Sequence, residues 1–210
     1  MFRATLRLTC AAVLLVAACS DSSGPEGDRR VSVLLTDAPG DILEAHVTID
    51  RIYLQAGDGD TEDNGRVVLM DEPVTVDLLT LTDELMTLVQ DATIPDGEFG
   101  QLRFVISGGY IVVEGAEGED PRIFATSEDY PGLPEGAVVA GQLHMPSFSQ
   151  SGLKVNFATG LVLEEETTLL VDFDVEESFG QEAGASGMWV MNPVLKGSVV
   201  EEEVTVRRSR

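Results

Sequence analysis

The chain has 210 residues, of which 13 are basic and 37 acidic, and its formal charge at pH 7 is −24. So acidic a surface repels nucleic acid and anionic lipid headgroups and attracts cations and basic proteins, which argues against nucleic acid as a partner. Both cysteines lie within the first twenty residues. The rest of the chain therefore has no disulfide, no thiolate nucleophile and no cysteine ligand for a metal.

Residues 1–18 have the pattern of a secretory signal peptide. Two arginines supply its positive charge, residues 8–16 supply its apolar stretch, and Ala17 and Ala18 precede Cys19. The apolar stretch is shorter than the roughly 20 residues of a membrane-spanning helix. A cysteine directly after these small residues resembles the lipobox of bacterial prolipoproteins. We therefore expect lipidation of Cys19; the alternative is an ordinary secretory signal.

Lipidation of Cys19 predicts a cell-envelope protein that is held at a membrane. Several acyl chains make a durable anchor, because a single chain binds membranes only marginally. Ser20 does not resemble an inner-membrane retention signal, so we expect the outer membrane, on its periplasmic or surface face. Residues 19–30 are polar after the cysteine and contain Gly, Pro and Ser, which predicts a flexible tether.

Residues 31–200 are expected to form one β-rich domain, because their apolar residues recur with a period of two. The alternation occurs in short runs bounded by Gly, Pro, Asp or Asn, as in strands with one buried face. The apolar positions of these runs are Val31, Val33 and Leu35; Ala45, Val47 and Ile49; Val74, Val76 and Leu78; Leu102, Phe104 and Ile106; Leu153, Val155 and Phe157; and Leu169, Val171, Phe173 and Val175.

Two irregularities interrupt this alternation. After Ile49 the apolar phase slips by one residue to Ile52 and Leu54, which predicts a β-bulge near Asp50 and Arg51. One segment instead has helical spacing and predicts a two-turn helix with Thr82 as its N-cap. Its apolar positions are Leu81, Leu85, Leu88 and Val89.

Many short strands and little helix predict an all-β fold, a single antiparallel β-sandwich with one short helix. The sandwich is expected to be immunoglobulin-like or transthyretin-like (prealbumin-like). Residues 201–210 are charged and predict a frayed tail, although two valines within them could extend the last strand.

Seven stretches of the domain have to be considered together. They are VLLTDAP at 33–39, VDLL at 76–79, IPDGEFGQLR at 94–103, MPS at 145–147, SGLK at 151–154, VDFD at 171–174 and NPVLK at 192–196. In this order and spacing they resemble the DUF4382 domain, a family of unknown function in bacterial and archaeal secreted proteins and lipoproteins. The resemblance implies no established activity and supplies no catalytic residues.

The acidic loop at residues 57–65 is the best candidate for a ligand site. Counted from Asp60, oxygen-bearing side chains fall at positions 1, 3 and 5, with Gly65 at position 6, close to the calcium-loop template of EF-hands. Glu62 at position 3 and Asp71 at position 12 depart from the template, and the segments on either side of the loop have the pattern of strands rather than helices. A solvated hairpin loop is therefore the alternative to a calcium site. The candidate ligands are Asp58, Asp60, Glu62, Asn64 and Asp71.

Asp172 and Asp174 are two residues apart on one predicted strand, so both side chains should project from the face opposite the core. Paired carboxylates can serve as general acid and base; the alternative is a polar outer face near a strand end.

His46 and His144 are interpreted as surface or loop histidines. Trp189 is interpreted as a core or half-core residue of a late strand.

The sequence contains no hydrolase, nucleotide-binding or dinucleotide-binding motif. We therefore expect a non-enzymatic, lipid-anchored envelope module with a binding or structural role and no required cofactor. Its expected partners are the membrane, through the lipid, and an envelope protein or glycan. One alternative is a calcium-stabilised adhesion or ligand-binding domain that uses residues 58–71. A remote alternative is an envelope hydrolase that uses Asp172 and Asp174.

Overall fold

The structure is a computed structural model that describes residues 29–38, 42–56, 65–81, 84–145, 152–158, 161–180, 182–183 and 187–200. The predicted lipidation site Cys19, the tether before residue 29 and the tail from residue 201 lie outside these ranges. Four of the five candidate calcium ligands, at positions 58, 60, 62 and 64, also lie outside them. Within the described ranges, no helix has the length and apolar character needed to cross a membrane.

Thirteen strands in the described part of the chain form two sheets. Five of them make the smaller sheet: β1 (Arg29–Ala38), β5 (Met86–Ile94), β10 (Asn156–Phe157), β11 (Glu166–Asp174) and β13 (Val194–Val200). The larger sheet contains β2 (Glu44–Ala56), β3 (Arg66–Met70), β4 (Val74–Asp77), β6 (Phe99–Val113), β7 (Arg122–Ala125), β8 (Val139–His144), β9 (Leu153–Lys154) and β12 (Met188–Val190). The strand orders are β10-β13-β11-β1-β5 and β12-β8-β7-β6-β2-β3, with β4 paired to β2 and β9 paired to β6.

One hydrophobic core lies between the two sheets, which confirms the all-β sandwich. Its members come from both sheets and include Val33, Ile49, Phe104 and Phe173, each at most 1 % exposed. All apolar positions of the predicted runs are buried, except that Val74 and Phe157 are half-buried. Burial of each large apolar side chain contributes roughly 1.5–3 kcal/mol, so this alternating set stabilises the fold substantially.

The predicted β-bulge is present in β2. Ile49 pairs with Ile106 of β6 and Arg51 pairs with Val105, so Asp50 has no partner position in the ladder. The extra residue shifts the phase of the strand by one, and the apolar residues from Ile52 onward therefore return to the core.

The strand pairing differs from the antiparallel arrangement that we expected. The pairs β1–β11, β7–β8, β8–β12 and β10–β13 are parallel, so both sheets are mixed. Period-two alternation places one face of a strand in the core whichever way its neighbour runs. It therefore predicts strands without predicting their relative direction.

The predicted helix over residues 81–89 is wrong. A short 3₁₀ helix (Leu78–Leu81) is followed by strand β5, in which Met86, Leu88, Val89 and Ile94 face or border the core. Irregular pairing of β5 with β1 breaks its alternation, so the apolar spacing imitates a helical period. The one short α-helix of the described residues is instead α1 (Val175–Phe179), directly after β11.

A second, smaller apolar cluster covers the outer face of the larger sheet. It is formed by Tyr110, Val112, Ala125 and Tyr130, with the loop 126–138 folded over the sheet. The Tyr130 hydroxyl lies 2.5 Å from the Thr48 hydroxyl and fixes the loop to β2. This cover explains why β6 is buried on both faces over most of its second half.

Candidate functional site

Several stretches that are distant in sequence meet at one end of the smaller sheet. In the parallel pair β1–β11, Thr36 lies opposite Asp172, and β13 brings Lys196 to the other side of Asp172. Because parallel strands end at the same edge, ligand sites in sheets commonly lie outside such carboxyl ends. We call the group Thr36, Asp172, Asp174, Glu177 and Lys196 the aspartate site.

Asp174 is buried, and each of its carboxylate oxygens has a partner. Oδ1 accepts the backbone N–H of Glu177 at 2.9 Å and so caps helix α1. Oδ2 accepts a hydrogen bond from Lys196 Nζ at 2.6 Å. Burial opposes ionisation of this carboxyl, but the hydrogen bonds from Lys196 and Glu177 together lower its pKa below the ordinary value. Asp174 is therefore a charged residue that joins β11, α1 and β13.

Asp172 lies in a different environment, although it projects from the same face of β11. Its Oδ1 is buried and has no hydrogen-bond partner among the described residues. Burial, together with the charge of Asp174, raises the pKa of Asp172, and the charge of Lys196 opposes this only in part. Asp172 is therefore the carboxyl of the site that holds a proton more readily.

Lys196 is the cation of the site. Its Nζ also lies 3.4 Å from Glu177, and half of its side chain is exposed. The hydrogen bond to Asp174 raises the pKa of Lys196, so the amine stays protonated throughout the physiological range. The Thr36 hydroxyl donates to the carbonyl of Leu81 at 3.2 Å, which ties the 3₁₀ helix to β1.

Two carboxyls whose pKa values move in opposite directions are typical of acid–base pairs. At this site, however, the ionised member uses both of its oxygens within the protein, and the Thr36 hydroxyl is bonded to Leu81. General acid–base catalysis needs groups that reach a substrate proton. The contacts of Asp174 and Lys196 form a charged junction between β11, α1 and β13.

His46 faces outward from β2, as its alternation with apolar neighbours predicts. Its ring stacks on Tyr110 with centroids 4.4 Å apart, and Nε2 lies 3.5 Å from Glu44 and 3.8 Å from Asp77. Burial and the two carboxylates raise the pKa of Tyr110 to about 12. The tyrosine therefore remains neutral and supports the second apolar cluster.

The other predicted residues do not join these groups. His144 is exposed on β8, whereas Trp189 is half-buried on β12, packs against Phe124 and donates from Nε1 to the carbonyl of Phe179. Asp71 is exposed just after β3. Among the residues that the structure describes, no group of three or more His, Cys, Asp or Glu side chains is arranged to hold a metal ion.

The loop that contains the candidate calcium ligands joins two strands rather than two helices. The Ala56 N–H donates to the Gly65 carbonyl at 2.8 Å, and Gly65 has a φ of +61°, which glycine adopts without strain. These contacts close the β2–β3 hairpin on either side of the loop. The calcium site itself stays a prediction, because most of its ligands lie outside the described residues.

Three members of the aspartate site, Thr36, Glu177 and Lys196, were missed in the sequence, although the last two each left a signal. Asp174 and Glu177 have the spacing of a capping box, which marks a helix start after β11. Lys196 lies in the NPVLK stretch and alternates with buried Leu195. What the sequence could not show is that Lys196 reaches back to residues more than twenty positions earlier.

Comparison with known proteins identifies one related family. The family model described as "Domain of unknown function (DUF4382)" matches residues 29–193, which is most of the chain. No curated protein and no solved structure matches the chain.

Proposed function

The chain belongs to the DUF4382 family of domains of unknown function, and from that premise we propose that it is a lipid-anchored cell-envelope protein whose domain is a non-enzymatic binding or structural module. The signal pattern before Cys19 supports the anchor. The residue after Cys19 favours the outer membrane, on its periplasmic or surface face. Residues 19–30 then serve as the tether between the lipid and the domain.

One observation carries the non-enzymatic part of the proposal. Asp174, the ionised member of the only carboxylate pair that we considered for catalysis, uses Oδ1 for the cap of α1 and Oδ2 for Lys196. Both oxygens of Asp174 are thus held by contacts within the fold, and these contacts fix the carboxylate between α1 and β13. The stability of the fold therefore accounts for Asp174 without a catalytic role.

Enzyme assays test this part directly. The purified full chain is assayed on ester, glycoside, peptide and phosphoester substrates, beside Asp172→Asn and the matched control Asp120→Asn, which replaces an exposed loop carboxylate. We expect no turnover above background for any of the three proteins. Turnover that is lost in Asp172→Asn and kept in Asp120→Asn would overturn the proposal in favour of a hydrolase.

Cell fractionation tests the location. The full chain is expected in the membrane fraction of the envelope, and a substitution at Cys19 is expected to release it. Recovery of the unsubstituted protein in a fraction without membranes would contradict the anchor while leaving the enzyme assays unaffected.

A further inference from the structure

Two adjoining hollows open on the outer face of the larger sheet, away from the aspartate site. One has a volume of about 340 Å³ and lies between β7, β8 and the start of the loop 126–138. The other has a volume of about 150 Å³ and continues towards His144 and Met145. Thr126 and Gln142 line both hollows, so the two adjoin each other, and we call the pair the depression. Its size falls within the range of about 300–1,000 Å³ that is typical of small-molecule sites.

The depression follows from local features of the fold. A register irregularity in the parallel pair β7–β8 places Ala140 outside the regular ladder, and small residues such as Ala125 leave space above the sheet. The wall on one side is the loop that Tyr130 fixes to Thr48. Thr126 Oγ1 accepts the Gly109 N–H at 3.2 Å, which fixes the beginning of the same loop on β6. The loop that forms this wall is therefore fixed at two points.

Neutral polar groups dominate the polar lining. The side chains of Gln142 and His144 make no hydrogen bond within the described part of the chain. The hydroxyls of Thr126 and Ser127 accept backbone N–H groups, which leaves their own protons available for donation. Ser107 donates to Asp50 at 2.7 Å and keeps lone pairs that can accept.

The lining also selects against charged ligands. None of its described residues is Arg or Lys, so an anion finds no lysine or arginine to pair with in a protein that is already strongly acidic. Glu128 is the one carboxylate among them, too few for a divalent cation, which takes several oxygen ligands. Apolar patches at Ala125, Val139 and Met145 alternate with the polar groups.

We propose that this depression binds a neutral saccharide. A sugar carries hydroxyls that both donate and accept, separated by C–H surface, and this matches a lining of amide, hydroxyl and small apolar groups. The proposal rests on the binding role proposed above and names its ligand class. Gln142 is the central residue, because it lines both hollows and its amide offers a donor and an acceptor at once.

Titration calorimetry with the full chain in detergent tests the proposal. The probes are three neutral trisaccharides, maltotriose, cellotriose and tri-N-acetylchitotriose, and the anionic trigalacturonate. We expect saturable binding of at least one neutral probe with a Kd of about 1 mM or tighter and no binding of trigalacturonate. Hydrogen–deuterium exchange should show protection of residues 125–128 and 139–144 by the bound sugar.

Two variants make the test specific. Gln142→Ala is expected to weaken binding roughly 3- to 10-fold, the worth of one or two hydrogen bonds. Gln90→Ala replaces an exposed glutamine of the distant strand β5 and should leave binding unchanged. Absence of binding by every neutral probe, equal binding by Gln142→Ala, or tighter binding of trigalacturonate would overturn the saccharide site. Conversion of a bound trisaccharide into products would instead overturn the non-enzymatic role and leave the binding site standing.

Discussion

Replacement of Asp174 by alanine is expected to destabilise the protein through loss of the α1 cap. The side chain supplies the cap through Oδ1 and the contact with Lys196 through Oδ2, so Asp174→Ala removes both. Asp174→Asn keeps a cap oxygen and removes the charge. Comparison of the two variants therefore separates the cap from the ion pair.

The cap sets the scale of the effect. Replacement of an N-cap Asp by Ala costs about 1 kcal/mol, with a range of about 0.5–2 kcal/mol. In a domain of this size that corresponds to a decrease in Tm of about 2–4 °C per kcal/mol. The α1 helix contacts β1, β11 and β13, so loss of its cap is transmitted to the smaller sheet. Asp174→Asn should fall between the parent protein and Asp174→Ala.

Asp172→Asn is the matched control, and its effect should have the opposite sign. In the parent protein, burial and the charge of Asp174 raise the pKa of Asp172, so the ionised form of Asp172 is unfavourable in the folded protein. Removal of the charge should therefore raise the free energy of unfolding at neutral pH. As pH falls through the raised pKa, the parent carboxyl takes up a proton and the advantage of Asp172→Asn should disappear.

The pH dependence of Asp174 runs in the other direction. Because its folded pKa is lowered, its stabilisation is present above the ordinary carboxyl pKa of about 3.9 and is lost as pH falls through the folded value. Urea unfolding followed by fluorescence of Trp189, the single tryptophan, measures all three variants. Two results would refute the account of the aspartate site. One is an Asp174→Ala variant with the same free energy of unfolding as the parent protein, and the other is an Asp172→Asn variant that is less stable than the parent at neutral pH.

Three further predictions concern other parts of the fold. Tyr130→Phe loses the hydrogen bond to Thr48 and should reduce the free energy of unfolding by about 0.5–1.5 kcal/mol in urea titrations, so an unchanged midpoint would contradict the role of the hydroxyl. Phe104→Ala leaves a cavity in the core and should cost about 3–5 kcal/mol by the same measurement, so a loss below 1 kcal/mol would show that the site collapses around the gap. The calcium interpretation of residues 58–71 predicts heat on titration with millimolar Ca²⁺ that disappears in Asp60→Ala. No heat, or an unchanged signal in the variant, would contradict the calcium site and favour its alternative, a solvated hairpin loop.

The sequence predicts the strands well wherever alternation continues through a regular ladder. Val31, Val33 and Leu35 are fully buried, and the phase slip at Asp50 corresponds to a bulge. In β5 the same rule failed, because irregular pairing with β1 placed Leu88 and Val89 next to each other at the core. A local pattern carries no information on the partner strand that causes such an irregularity.

The candidate site was predictable only in part, for a related reason. Alternation places Asp172 and Asp174 on the outer face, but their different environments come from Lys196 on β13 and from the start of α1. The parallel pairing that sets Thr36 beside Asp172 joins residues more than one hundred positions apart. Contacts of this kind depend on topology, which periodicity in the sequence does not specify.

Mass spectrometry of the N-terminal peptide, after expression in a bacterium with lipoprotein processing enzymes, tests the proposed anchor most directly. The account predicts that the mature chain begins at Cys19 and that this residue carries diacylglycerol on its thiol. It also predicts that Cys19→Ala is neither acylated nor retained in the membrane fraction. An unmodified Cys19, or a Cys19→Ala variant that still sediments with membranes, would contradict the claim that the domain is held at the envelope by lipid.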